Sequence, residues 1–469
     1  MLSVSYAAAV AAMLVAALYL FFRLRLFVTT TTMLVGSLLL IYGPAYLSYM
    51  LSSGEHAFLI NLFADLAHYP DALFAIIKAR VAEFDAVVIA MNFSIALMYL
   101  CIIVGIEAVD RLAAGRIETM RTSLANWSVQ PLRDDMDGHR ILLIAILALF
   151  AFMLYVSITE HHITTIWKFL SIRGDDESNV ARNAFRLHFA TSPSYSYRLI
   201  LAAVAPMFVI WGLLTGWFNK SWPLSLAAIL LFLATMIGKM DTLSKAPPAF
   251  FLVQLMVAAL LTFSNRITWR SALGGTCAVA LVIYAIARLI MTLPKGLAGF
   301  EFVYFRVFEV ESQALLENFA TFPFVHPHMW GANIRPVASL MGLHYIPSYS
   351  IVAHTWQGTY DVTSPSLFIA DAWADFSYAG VIVFSLIAGA VCRSIDAIFL
   401  VRGKSVVAVA VLGAAFMGVF TLLVTALNTA LLSGGLLLAP ILAGLLVMAT
   451  RYLGRQRRTS SVERAVCND

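Results

Sequence analysis

The sequence predicts an all-α polytopic membrane protein of about eleven transmembrane helices, with one large outer loop that contains short helices. Two features of composition point there. Hydrophobic residues make up 61% of the chain and charged residues only 12%, with a mean hydropathy of +0.85, whereas a soluble domain carries about 25% charged residues. The apolar residues also fall in runs of about twenty, the length of helix needed to cross roughly 30 Å of hydrocarbon. A membrane barrel would instead alternate with a period of two, which these runs do not.

In order, the apolar runs lie near residues 4–22, 26–52, 85–108, 141–158, 199–218, 223–238, 247–264, 271–293, 366–391, 405–427 and 430–450. This divides the chain into membrane helices over 1–293 with outer loops at 53–84 and 159–198, a large loop at 294–365, further membrane helices over 366–450, and a tail at 451–469. The first run lacks a basic leader and a small-residue cleavage site, so no cleaved signal is expected there. Loop 53–84 places Phe58, Leu62, Phe63, Leu66, Leu73, Ile76 and Ile77 in an amphipathic pattern suited to an interfacial helix. Loop 109–140 mixes charges and reads as a solvated connector. The tail is basic and polar, as a topology anchor beside anionic lipid would be.

Orientation follows from where the cations fall. The connections holding Arg23 and Arg25, residues 109–140, Lys220, Arg266 and Arg270, Arg393 to Lys404, and the tail carry 18 of the 31 Lys and Arg residues. The opposite set, though far longer, carries 12. The positive-inside rule then puts the N-terminus outside and the C-terminus in the cytoplasm. Cys101 and Cys277 lie within spans, Cys392 at a span end and Cys467 in the tail, so neither a disulfide framework nor a CxxC site is expected.

Most of the chemistry lies on the outer side. Ser178 can cap a helix that sets Arg182 and Arg186 on one face, a fork-bearing pair suited to phosphate or to the neighbouring Asp175, Asp176 and Glu177. Lys245, between Ser244 and Ala-Pro-Pro, sits close to membrane depth, where a cation is costly unless it snorkels or is used. A helical pattern from about Phe300 to Phe319 holds Arg306 among aromatics, where it needs an anionic partner, either Glu309 or a ligand. Then comes FPFVHPHMWGANIRP, in which His326 and His328 flank a proline. No Cys or further His stands at ligand spacing, so no metal is expected. These imidazoles beside Trp330, and His354 beside Trp356, suit sugar binding or proton transfer. Glu311, Asp371 and Asp375 are the acidic alternatives; the last two share a helix face, where they serve either as chemistry or as caps.

The block SPSLFIADAWADFSYAGVIVFSLIAGAVCRSID resembles the C-terminal block of oligosaccharide repeat-unit polymerases of the Wzy type, a family related to the O-antigen ligases. Pro365, Ile369, Ala370, Asp371, Trp373, Phe376 and Gly380 fit its pattern, while Tyr378-Ala379 departs from it. Ser244-Lys245 and Arg306 stand where such proteins carry their short outer motif and loop arginine. Ser364-Pro365 replaces the His-Asn of the ligases, which favours polymerase.

The resemblance implies a glycosyltransferase of the bacterial inner membrane that joins undecaprenyl-pyrophosphate-linked oligosaccharides on the periplasmic face. Neither cofactor nor nucleotide is expected. Its partners would be the lipid-linked donor and acceptor, membrane lipid and chain-length regulator proteins, with no nucleic acid. Lys245 and Arg306 then serve the pyrophosphate by resemblance; read from the residues themselves, Arg186 and Arg182 join them, Trp330, Trp356 and His354 suit the sugar, and His328, then His326, Glu311 or Asp371, are the candidates for catalysis. A lipid-linked saccharide flippase is the rival. The unequal halves of the chain and the single large loop speak against it.

The orientation is testable by cysteine substitution. Cysteines at Ser192 and Ser348 should react with a membrane-impermeant thiol reagent once any outer membrane is removed, and one at Ser123 should not. Labelling confined to Ser123 would reverse the topology.

Overall fold

The computed structural model describes residues 1–53, 72–134, 139–160, 195–240, 246–271, 308–358 and 366–450, with isolated positions in 163–167, 273–284 and at 452. Among the described residues the chain is helical without strands. Eight helices are long and apolar enough to cross a membrane, and two shorter apolar helices, Pro247–Phe263 and Leu438–Thr450, accompany them. The polytopic all-α class is therefore observed. Residues 271–293, expected as a span, lie largely outside the described set.

The chain forms two compact units. The first comprises Met1–Ala114, Leu293–Ser394 and Val419–Ala430. It contains α1 (Leu2–Leu18, continued by a π-turn over Tyr19–Arg23), α2 (Thr30–Tyr42), α3 (Pro44–Leu51), α4 (Ala72–Arg80) and α5 (Phe84–Leu112). Thr29 caps α2 by accepting the Thr32 amide at 3.1 Å. The apolar run at 26–52 is two helices because Pro44 has no N–H to continue the ladder, and a Cβ at Gly43 would lie 2.2 Å from the Leu39 carbonyl oxygen. Of the amphipathic pattern expected over 53–84, Phe58, Leu62, Phe63 and Leu66 lie outside the described residues; in α4 Phe74 and Ile77 are buried, Ile76 is exposed, and Phe74 makes edge contacts with Tyr49 and Phe84.

Small residues on α1 (Ser5, Ala9, Ala12, Ala16) form the face packed against α5. The buried polar groups there satisfy one another: Tyr46 donates to Asn92 Oδ1 at 2.7 Å, and Asn92 Nδ2 donates to Ser5 Oγ at 3.1 Å. α5 also crosses the helix Phe368–Phe399 at van der Waals limits. A Cβ at Gly105 would meet the Leu386 carbonyl at 2.3 Å, and one at Gly389 the Ile102 carbonyl at 2.3 Å. One turn further, Arg393 binds Asp110 through both nitrogens, at 2.5 and 2.9 Å, with each side chain 4% exposed. Arg23 pairs with Glu107 beside it. The ends of three elements thus share one membrane side, as the span order requires.

The second unit comprises Gly115–Thr292, Ile395–Gly418 and Leu431–Asp469. It includes α6 (Ala114–Ala125) after its first residue, α7 (His139–Thr159), α8 (Ala205–Phe218), α9 (Trp222–Lys239) and α10 (Ala246–Phe263). The connector over 109–140 is exposed at most of its described positions, as expected, and is pinned to the unit at a few points. Trp127 is fully buried and donates to the Leu261 carbonyl at 2.8 Å; the Arg133 amide donates to the Lys404 carbonyl at 2.9 Å; Asn219 donates to Asp134 at 2.6 Å. Lys404 is buried outside the spans, and that burial lowers its pKa. The indole, invisible to charge counting, organises this segment.

Ser348 and Ser123 are both buried, so Ser339 and Thr119, which are exposed, are better thiol reporters for the topology test. The glycine crossing yields a further expectation. Gly389→Ala should lower the thermal unfolding temperature of purified protein, because the clash exceeds the gain of up to ~1 kcal/mol in helix propensity. Gly444→Ala, with nothing within 4 Å of the new methyl, should leave it unchanged or raise it. Equal effects would contradict the packing.

Candidate functional site

The loop preceding Phe368 folds onto the first unit through three helices: α11 (Val310–Thr321), α12 (Arg335–Leu340) and α13 (Ser348–Gln357). α11 begins ten residues later than Phe300; positions 300–307 lie outside the described residues. It packs against α4, α5 and α13. Trp356 joins α13 to α11, its indole N–H reaching Thr321 Oγ1 at 2.9 Å and the Glu317 carbonyl at 3.1 Å.

The feature that gathers the site is a break in α14 (Phe368–Phe399). Phe376 (φ −132°, ψ 17°) and Ser377 (φ 55°, ψ −144°) leave helical geometry, so the helix is two segments, 368–375 and 378–399. The chain turns sharply enough that a Cβ at Gly380 would lie 2.2 Å from the Ala372 carbonyl oxygen. In an unbroken helix the carbonyls of Ala374 and Asp375 would accept from the amides four residues on. Here the loop supplies the donors instead: Met329 N to Ala374 O at 2.9 Å, and Trp330 N to Asp375 O at 3.0 Å. Trp330 and Gly331 adopt positive φ (51° and 94°) to present them.

The next amides turn to the side chain of Asp375. Its Oδ1 accepts from Gly331 N at 2.9 Å and Asn333 N at 3.3 Å. Asp371, one turn earlier, accepts through Oδ1 from Asn333 Nδ2 at 2.7 Å and from Ser348 Oγ. Asn333 Oδ1 accepts in turn from Ser348 N at 2.9 Å. Asn333 thus bonds to both acids and to the start of α13. Burial differs between the two acids: Asp375 is 0% exposed and Asp371 only half-buried.

His328 stands over this junction. Its Nδ1 lies 3.4 Å from the Ala374 carbonyl, and its ring meets Trp330 and Trp373 edge-on, with centroids 6.2 and 5.5 Å away. Trp373 stacks on Phe319 at 4.8 Å, contacts Tyr378 edge-on at 4.9 Å, and donates to the Phe322 carbonyl at 2.6 Å. Trp330 is 61% exposed. Arg335, also exposed, lies with its guanidinium carbon 4.8 Å over the Tyr345 ring.

Of the residues selected from sequence, His328 and Trp330 come together, and Asp371 joins the same loop through Asn333 and Ser348. Trp356 is 8% exposed with its N–H bound, which makes it a pin for the loop helices. His326 and His354 are exposed and Glu311 is partly buried; the contacts of His328 and Asp371 include none of the three. Arg182, Arg186, Lys245 and Arg306 lie outside the described residues. Among those described, no group of three or more His, Cys, Asp or Glu side chains could hold a metal ion. Sequence reasoning assigned no role to Asn333, Ser348 or Gly331, and Gly380 entered only as part of the family pattern. The Trp-Gly-Ala-Asn string did carry a turn signal, Gly followed closely by Asn.

The chain matches no protein-family model, no curated protein and no solved structure.

Replacing Asp375 tests the docking. Asp375→Ala strands two loop amides, at about 1–3 kcal/mol for each one left buried. Hydrogen exchange at residues 329–334 is expected to accelerate at least tenfold, while exchange in α5 stays unchanged. Unaltered exchange at 329–334 would show that the carboxylate does not hold the loop.

Proposed function

We propose that this protein is a polymerase of the bacterial inner membrane. In this reading it joins undecaprenyl-pyrophosphate-linked oligosaccharide repeat units into a surface polysaccharide on the periplasmic face, with the N-terminus periplasmic and the C-terminus cytoplasmic. The observation that carries the reading is the loop docked at the break in α14: it holds a partly exposed imidazole edge-on to an exposed indole, and through Asn333 it binds the half-buried carboxylate of Asp371 on the same helical segment. An aromatic face for a sugar ring beside a group able to take a proton is what glycosyl transfer requires of a protein.

In the proposed reaction the acceptor hydroxyl oxygen attacks the anomeric carbon of the donor. The bond from that carbon to the pyrophosphate oxygen breaks, and undecaprenyl pyrophosphate departs with the electron pair. The hydroxyl proton passes to His328. A proton on Nδ1 facing the Ala374 carbonyl leaves the Nε2 lone pair free to receive it. Arg306, Lys245, Arg186 and Arg182 are the cations proposed to neutralise the leaving group, because guanidinium and ammonium donors bind phosphate oxygens strongly. The lipid-linked donor and acceptor are the partners, and chain-length regulator proteins are proposed with them. A ligase-like glycosyl transfer to another acceptor, or flipping of the same lipid, are the competing functions.

The discriminating assay uses purified protein with lipid-linked repeat units alone. Wild type should extend chains. His328→Ala should lower extension by about 10²–10⁴-fold, the usual contribution of a general base, while binding of the lipid-oligosaccharide persists. Wild-type protein that makes no polymer, yet moves the unit across a liposome membrane, would replace polymerase by flippase.

A further inference from the structure

Asp371 and Asp375 lie four residues apart in the same helical segment, and both accept two hydrogen bonds from the loop through a single oxygen. Their remaining oxygens differ in circumstance. Asp375 is wholly buried, its Oδ2 closed off from the surface and without a hydrogen-bond partner among the described residues. Asp371 is partly exposed, and among the described residues its Oδ2 receives no hydrogen bond.

We propose that Asp371 contacts substrate directly: its Oδ2 accepts a hydroxyl group of the bound saccharide, and Asn333 and Ser348 are the positioning residues that aim it. This rests on the saccharide-binding reading above. Asn333 has no freedom of its own. Its Oδ1 is committed to the Ser348 amide, a donor, so its Nδ2 must face Asp371. Ser348 then adds its hydroxyl to the same Asp371 oxygen, closing a ring of three residues through its own backbone amide. Ser348 and Asn333 are both buried, which keeps water from competing for those bonds. The outcome is a carboxylate fixed in one rotamer with one acceptor oxygen left over. Orientation settled before binding is the form in which such a group is most effective.

Position in the chain agrees with this assignment. Asn333 follows Trp330 by three residues, and the amide of Trp330 is bonded to the same helical segment that carries Asp371. The exposed indole and the open oxygen are therefore presented by one rigid connection between the loop and 368–375. Together they offer a ring face and a hydroxyl acceptor, complementary to the two kinds of surface on a sugar.

Asp371→Asn separates fastening from binding. The amide oxygen still accepts from Ser348 and Asn333, so hydrogen exchange at 329–334 should stay as in wild type. The new NH₂ offers a donor where an acceptor is needed. Binding of the free repeat-unit oligosaccharide should weaken about tenfold or more, as loss of a hydrogen bond to a charged group does, and chain extension should fall with it. Ser348→Ala should weaken binding in the same direction, and Ser348→Thr, which keeps the hydroxyl, should restore it. Should wild type bind the oligosaccharide but not polymerise it, the polymerase reading fails, while the binding comparison still decides the role of Asp371. Affinity in Asp371→Asn within about twofold of wild type, with the loop still docked, would reduce Asp371 to a fastener. If Asp371→Asn frees the loop, the Ser348 pair decides: weakening in Ala reversed by Thr supports the assignment, and equal affinity in both overturns it.

Discussion

The arrangement of the first unit depends on an interrupted backbone. A helix in hydrocarbon satisfies its own amides and carbonyls, and each group left over costs several kcal/mol. The departure at Phe376 and Ser377 leaves two carbonyls over, those of Ala374 and Asp375. The segment Met329–Asn333 supplies the missing donors and adds two more amides for the Asp375 side chain. Non-helical backbone near a membrane is tolerated where protein covers it, and here the loop is that cover. The dependence runs both ways: without the broken helix the amides of 329–333 would have no buried acceptors, and the loop no register.

The same helix is anchored at its other end by a different kind of contact. Gly105 and Gly389 let α5 and α14 approach until carbonyl oxygens bar a methyl group. Asp110 and Arg393 meet where that approach continues. A buried pair of this kind adds little net stability, but removing one partner strands a charge at a cost of about 3–5 kcal/mol. Its contribution is to register, since sliding α14 by one turn along α5 would break both the glycine contact and the bidentate pair. α14 is thus held firmly below the break, which lets the segment 368–375 serve as a fixed base for the groups that face outward.

Much of this was legible in the residues. Apolar run length gave the all-α class and the eight long helices among the described residues, and the clustering of aromatics and histidines in a long polar loop marked the region that docks on the broken helix. Asp371 and Asp375 stood out because an acid at a span end is expensive without a use. Other features were hidden for physical reasons. Four-residue spacing shows that two acids share a face, not that an asparagine forty residues earlier joins them. Trp356 carries the same side chain as Trp330, but one is buried with its N–H bound and the other lies at the surface, a difference the sequence does not show. The break in α14 has no proline to announce it. Gly380 is its only local sign, and it becomes legible once Ala372 is known to lie against it. Trp127 was overlooked because charges dominate its loop, while burial of one large ring sets how that loop folds.

In the proposed function, the docked loop with its imidazole, indole and half-committed carboxylate holds one saccharide while another is brought to it. The chain-length distribution of cell-surface polysaccharide in a strain deleted for this protein tests that account most directly. Loss of long chains with surface-linked single repeat units retained is the result predicted. An unchanged distribution, or repeat units trapped on the cytoplasmic face, would contradict it.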